Sequence, residues 1–225
     1  MTGNIPVITI DGPSGSGKGT IAAAVANRMG YHLLDSGALY RVLGVVAHRA
    51  GIVLEDAAQL TRLAAEMTVE FGRSSPDSVH VNGADLTLDI RGSLGSDLSS
   101  RVGAVPEARA ALLQRQLAFR QAPGLVADGR DMGTVVFPDA EVKIFLTASL
   151  EKRAERRYKQ LIGKGIDAIL PDLLRDLKER DTRDSKRKVS PLIPAQDATI
   201  IDSTDLEIDQ VLDQVMTLVH ARLGE

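Results

Sequence analysis

The chain of 225 residues contains no cysteine. Disulfides, thiolate metal sites and a cysteine nucleophile are therefore excluded, which suits a reducing cytosol. Histidine is sparse: His32, His48, His80 and His220 are scattered and form no constellation. No apolar run approaches the ~20 residues that a membrane helix needs. The N-terminus has neither the basic start nor the apolar stretch of a signal peptide. Repeats and low-complexity segments are absent. Charge of one sign is lacking too: the formal net charge is -3 and the pI about 5.8, which argues against a nucleic-acid binder. These absences predict a cytoplasmic protein with small-molecule partners, and with neither nucleic acid nor membrane among them.

What is present is ordinary for a globular chain, 44% hydrophobic and 25% charged residues. The length fits one α/β domain with room for a small insert. Apolar runs at residues 7–10, 31–34, 125–127, 142–146 and 198–201 read as strands. Helical patterns cover residues 21–29, 36–49, 56–67 and 208–223, and Pro106 opens a helix expected to reach residue 121. Between them, residues 68–71, 79–81 and 86–90 are short alternating runs. They are separated by Ser74-Ser75-Pro76-Asp77 and by Asn82-Gly83, a strong hairpin signal. The expectation is an α/β fold: a five-stranded, parallel core sheet flanked by helices, with a small inserted antiparallel sheet and a helical lid. The core spans residues 1–67 and 91–225, the insert residues 68–90, and the lid about 153–188.

The densest chemical signal is Gly12-Pro13-Ser14-Gly15-Ser16-Gly17-Lys18-Gly19-Thr20, set between a strand and an alanine-rich helix. Glycines let the backbone fold tightly round an anion, so that successive N–H groups point inward. The helix N-terminus adds its positive dipole there, and Lys18 can reach the outer phosphates of a nucleoside triphosphate. The spacing fits the Walker A pattern with one departure. Gly19 follows the lysine, and the hydroxyl residue Thr20 comes one place later. A tight turn that binds nothing is the bland alternative, but glycines and a lysine are poor choices for stability alone.

Polar residues recur at the carboxyl ends of the strands, where ligands bind in parallel sheets. Asp35-Ser36 follow the second strand, Asp128 the third and Asp202-Ser203-Thr204 the last. Asp128 reads as a carboxylate that holds Mg²⁺, directly or through water, with Thr20 as a second oxygen ligand. A helix-capping aspartate is the alternative. The following Arg130 and Asp131 suit a phosphate acceptor site.

Nearly half of the lysines and arginines lie between Lys152 and Lys188, interleaved with acids. For most of them, as in Glu151-Lys152-Arg153-Ala154-Glu155-Arg156-Arg157, the expectation is a solvated helical face with i,i+4 pairs. Arg180, Arg183 and Arg187 cluster with Asp181 and Asp184, and suit a closing segment that binds phosphates bidentately.

Taken together, Gly12 to Thr20 with its Lys-Gly-Thr ending resembles the loop of nucleoside monophosphate kinases. Leu34-Asp35-Ser36-Gly37-Ala38-Leu39-Tyr40-Arg41, the run from Ala127-Asp128-Gly129-Arg130-Asp131-Met132-Gly133 to Phe137, and Lys178-Glu179-Arg180-Asp181-Thr182-Arg183-Asp184 narrow the resemblance to the bacterial cytidylate kinase family, over essentially the whole chain. It implies transfer of the ATP γ-phosphoryl group to CMP or dCMP, with Mg²⁺, by a monomer. Gly12, Pro13, Ser14, Gly15, Ser16, Gly17, Lys18, Gly19 and Thr20 then fall on the ATP side, with Arg157 nearby. Ser36, Tyr40, Arg41 and Arg130 fall on the CMP side. Ser100, Arg109 and Asp131 match positions that contact cytosine, Arg180 and Asp184 positions that contact ribose, and Arg187 lies on the lid. Lys18, Asp128, Arg130, Arg180 and Arg187 are the catalytic set that the resemblance implies.

Two other classes share the loop. A P-loop ATPase or switch protein needs a water-positioning residue and a partner surface, for which the sequence offers no convincing candidate. A small-metabolite kinase resembling shikimate kinase is opposed by Gly19 in place of Ser or Thr, and by the inserted sheet.

Overall fold

The structure, a computed structural model, describes residues 5–71, 78–163 and 165–224. In chain order the elements are β1 (Val7–Asp11), α1 (Lys18–Met29), β2 (His32–Asp35), α2 (Ser36–Arg49), α3 (Ala57–Glu66), β3 (Val69–Phe71), β4 (Val79–Val81), β5 (Ala84–Asp85) and α4 (Thr87–Arg91). There follow α5 (Ser93–Val102), α6 (Pro106–Leu117), β6 (Leu125–Gly129), a π-helical turn (Met132–Val136), β7 (Val142–Thr147), α7 (Leu150–Ile162), α8 (Leu170–Ser185), β8 (Thr199–Asp202) and α9 (Ile208–Leu223). The backbone divides into two units, one of Met1–Asp35 with Leu117–Glu225, the other of Ser36–Gln116.

The first unit is built on a five-stranded sheet in the order β2-β6-β1-β7-β8, with every pairing parallel. Its inner strands β1 and β6 are buried at every position, because helices cover a parallel sheet and leave no face for alternation. Ile8, Ile10, Val126 and Ile144 join Val25 of α1 and Val215 of α9 in one core. At the edges, Leu33 of β2 and Ile200 of β8 stay exposed. The register aligns Asp128 with Asp35 and with Ile10, and Asp202 with Thr147. The polar residues that end the strands therefore share one edge of the sheet.

The second unit packs α2, α3, α5 and α6 with the small sheet around a separate core that includes Val42, Leu43, Leu60, Val81, Val102 and Leu112. Its three strands run antiparallel in the order β3-β4-β5. Asn82 and Gly83 make the hairpin turn, both with positive φ, 50° and 83°, as a two-residue primed turn requires. The expected turn at Ser74-Ser75-Pro76-Asp77 lies outside the described residues.

Residues 86–90 differ from expectation: they are helical from Thr87, not a strand. Thr87 ends the ladder, since its N–H donates to Asp85 at 2.8 Å and its hydroxyl oxygen accepts from the N–H of Val79 at 2.9 Å. A strand would put Leu86, Leu88 and Ile90 on one face. Here Leu86 and Ile90 are buried one turn apart, and Leu88 is 86% exposed. The helix opened by Pro106 ends at Leu117, short of residue 121. Arg120 has left the helix, its Nε donating to the carbonyl of Ile5 at 2.8 Å and its Nη1 to Asp139 at 2.7 Å.

The two readings of this segment predict different mutational costs. Ile90→Ala should lower unfolding free energy by about 2–5 kcal/mol, the range for truncating a buried aliphatic side chain. Leu88→Ala should stay within about 0.5 kcal/mol of the parent, as an exposed site does. Urea unfolding of both variants measures this, and equal losses would restore the alternating strand.

Candidate active site

The phosphate loop leaves β1 at Gly12, whose φ is 154°. A Cβ there would stand 2.0 Å from the carbonyl oxygen of Leu146 on β7, so no larger residue fits between the strands. When loop amides turn inward toward an anion, the loop carbonyls must turn outward and find donors. Two arginines of α7 meet that need. Arg153 Nη1 donates to the Ser14 carbonyl at 3.1 Å and Arg156 Nη1 to that of Ser16 at 3.2 Å. Arg156 also donates to the Ser203 hydroxyl at 2.9 Å, which lies 3.1 Å from the Ser16 carbonyl. The expectation of a solvated face is thus corrected for Arg153 and Arg156. They brace the loop, while Arg157, the expected ATP contact, is bonded to Gln160 on its own helix at 3.0 Å. Exposed pairs such as Arg175–Asp172 keep the solvated character.

Lys18 opens α1, and its ammonium donates to the carbonyl of Pro13 at 3.1 Å, arched over the loop. Burial lowers its pKa to about 8; the carboxylate of Asp128 opposes the shift and the guanidiniums of Arg130 and Arg180 add to it. Asp128 is buried at the end of β6. A Cβ on Gly19 would lie 3.1 Å from its Oδ2, so the carboxylate would have to give by a few tenths of an ångström. Glycine, the departure from the motif, leaves that space to Asp128.

Beyond Asp128, β6 ends at Gly129 and the chain leads into Arg130 and Asp131. Arg130 Nε donates to the carboxylate of Asp184, which Arg187 also engages and which Arg180 approaches at 3.7 Å. The Asp184 side chain is 1% exposed. Burial alone would raise its pKa, but Arg130, Arg187 and Arg180 reverse that and hold it at about 2. One turn earlier on α8, Asp181 accepts from Arg153 through both oxygens, at 3.2 and 2.5 Å. At the sheet edge Asp11 is buried and accepts from the N–H groups of Met132 and Gly133, at 2.9 and 2.8 Å. Burial pushes its pKa up to about 7 against the pull of those two amides.

In the second unit, the Ser36 hydroxyl donates to Gln116 Oε1 at 2.8 Å. The guanidinium of Arg109 lies 5.6 Å from the ring centre of Tyr40, within cation–π range, and donates to the Gly103 carbonyl at 3.4 Å. Ser100 is buried and Arg41 half-buried. Of the expected residues, Lys18, Asp128, Arg130, Asp131, Arg180, Asp184 and Arg187 thus belong to the first unit. Ser36, Tyr40, Arg41, Ser100 and Arg109 belong to the second.

Residues 8–221 match the sequence profile of the cytidylate kinase family. The chain belongs to the cytidylate kinase family. It is 50% identical to a cytidylate kinase of Shewanella pealeana, over 99% of this chain and 98% of that one. It is 56% identical to a cytidylate kinase of Chromobacterium violaceum, over 94% of each. A solved structure, that of TT1252 from Thermus thermophilus, aligns at a TM-score of 0.48 and 21% identity over 98% of each chain.

Among the described residues no group of three or more carboxylates and histidines could cage a metal ion, and no helix is long and apolar enough to cross a membrane. Asp128 nevertheless fits Mg²⁺. That ion takes one or two carboxylates and completes its shell with water and substrate phosphate. The buried Asp128 carboxylate, pressed against the first turn of α1 beside the exposed Thr20, offers hard oxygen donors next to the phosphate loop.

Asp11 and Gln116 were missed by the sequence reading, and no local pattern marks them. Arg153, Arg156 and Ser203 stood in segments that it singled out, but without the bracing role they have here.

Asp184 sets an acid limb on stability. Its folded pKa lies below the unfolded value, so its contribution is complete above about pH 4 and is lost as pH falls through about 2. That pH-dependent part is on the order of 2 kcal/mol. Asp184→Asn should be less stable at neutral pH, and its deficit should shrink from pH 4 toward pH 2. Melting curves across this range measure the difference, and a deficit independent of pH would contradict it.

Proposed function

We propose that this chain transfers the γ-phosphoryl group of ATP to the phosphate of CMP or dCMP, giving ADP and CDP or dCDP. The observation that carries the proposal is the meeting, within one unit, of a braced phosphate loop with Lys18 and the arginines gathered on Asp184. Family membership supports ATP and CMP as the substrates. Neither hydrolytic switching nor phosphorylation of another small metabolite has an observation of its own in its favour.

The reaction is a displacement at phosphorus. An oxygen of the acceptor phosphate forms a bond to the γ-phosphorus as the bridging bond to the β-phosphate breaks, and ADP leaves. The protein's task is positioning and charge neutralisation rather than covalent chemistry. The loop amides and Lys18 hold the β and γ phosphates. Arg130, Arg180 and Arg187 bring positive charge to the transferring group and the acceptor phosphate, exchanging part of their contact with Asp184 for phosphate oxygens. Mg²⁺, which Asp128 and Thr20 would hold, would supply further charge neutralisation. Ser36 and Arg41 serve the CMP phosphate, Tyr40 lines the pocket, Asp184 and Arg180 serve the ribose, and Ser100, Arg109 and Asp131 read cytosine. Residues 153–188 act as the lid that keeps water from the γ-phosphate, with Arg157 on its ATP side. The inserted sheet of β3, β4 and β5 belongs to the CMP-binding part. We place the enzyme in the cytoplasm as a monomer acting on small molecules.

Lys18→Ala should lower kcat by roughly 10²-fold or more, the scale seen when a preorganised charge-stabilising group is lost. Its melting temperature should barely move. Near-normal turnover in the folded variant would remove this loop as the donor site.

Base choice gives an independent test. Cytosine offers an N4 amino donor and an N3 acceptor, whereas uracil reverses both. Asp131 can accept from the amino group, and Arg109 can donate to N3. A good base contact is worth about 1–3 kcal/mol of discrimination, so CMP should be clearly preferred to UMP. In Asp131→Ala the ratio of the two kcat/KM values should narrow, and an unchanged ratio would move the base-reading site elsewhere.

A further inference from the structure

The mechanism above makes no use of Asp11, yet Asp11 is a buried carboxylate at the end of β1, directly before the phosphate loop. Its two oxygens divide their work. Oδ1 accepts from the N–H of Met132 at 2.9 Å, and Oδ2 from that of Gly133 at 2.8 Å. These amides open the π-helical turn Met132–Val136. The first N–H groups of any helical turn lack partners within it, and the residue just before usually satisfies one with its side chain. Aspartate is among the best at this. The residue just before is Asp131, and its side chain makes no cap hydrogen bond to the turn. A carboxylate from more than a hundred residues upstream has taken the capping role instead.

We propose that Asp11 is a positioning residue: its carboxylate caps the Met132–Val136 turn in place of Asp131, and so fixes the direction in which Arg130 and Asp131 leave β6. Two constraints then bracket Arg130, with Asp11 holding the loop behind it and Asp184 holding its guanidinium. Loss of the cap opens a competing arrangement, in which Asp131 turns back onto the Gly133 or Thr134 amide as an ordinary N-cap aspartate does. Asp131 then ceases to face the base. The proposal rests on the base-reading role given to Asp131 above.

The test compares steady-state kinetics on CMP and UMP for wild type, Asp11→Asn, Asp131→Ala and the double variant. Asparagine keeps the shape of Asp11 but offers one acceptor oxygen, and its amino group meets the second N–H donor to donor. Asp11→Asn should fold, keep the KM for ATP within about twofold, and narrow the CMP-to-UMP ratio of kcat/KM by roughly tenfold, a misplacement effect and not a lost contact. In the Asp131→Ala background, Asp11→Asn should narrow the ratio no further, because the two changes act through one group. An unchanged ratio in Asp11→Asn, with Asp131→Ala active on it, overturns the positioning role alone. Independent, multiplying effects in the double variant do the same. If Asp131→Ala itself leaves the ratio intact, the base-reading assignment fails, and the proposal built on it fails too. Should Asp11→Asn not fold, Asp11→Ser, with a smaller acceptor, takes its place. Failure of both to fold would make Asp11 a folding residue only.

Discussion

Three guanidinium groups can stand together in a half-buried site only if a carboxylate stands among them, and here that carboxylate is Asp184. Like charges at this separation repel, and the repulsion grows as water is excluded. With Asp184 at their centre, the arginines are held in place. A phosphate group offers more oxygens and more charge to several arginines at once than a carboxylate does. Preorganisation of this kind avoids much of the ordering cost that flexible side chains would bring to binding.

The same helix reaches the donor side by a second ion pair. Asp181 grips Arg153, Arg153 holds the outward carbonyl of Ser14, and Arg156 does the same for Ser16. α8 is thus linked to the phosphate loop through α7 and to the chain after β6 through Arg130. One helix ties the two segments together. Two glycines of the loop stand in crowded places, Gly12 against the Leu146 carbonyl of β7 and Gly19 beside the Asp128 carboxylate.

Acidic groups in this unit differ by their neighbours. Asp184 is buried among guanidinium groups and is held ionised, whereas burial, with Asp131 and Asp128 nearby, pushes Asp11 up against the pull of its two amides. Burial opposes the charge in both cases, and the sign of the neighbouring charges decides the outcome.

Much of this protein was written locally. The apolar runs that became β1, β6 and β7, the glycine loop, the Asn82-Gly83 turn and the polar strand ends follow from short-range rules of period, φ and hydrogen bonding, which a sequence displays directly. Residues 86–90 mark where those rules run out. Their alternation suits a strand, yet the capping of Thr87 by Asp85 and the burial of Leu86 with Ile90 favour one helical turn. Arg153 and Arg156 were indistinguishable from solvated neighbours until the fold set α7 against the phosphate loop. Asp11 carried no mark at all, since the amides it serves lie more than a hundred residues away. Local sequence determined the elements and the phosphate-binding motif, because backbone geometry and period act over a few residues. Only the tertiary structure decided which charges share a site and what braces them, because those pairings join residues that the chain itself keeps far apart.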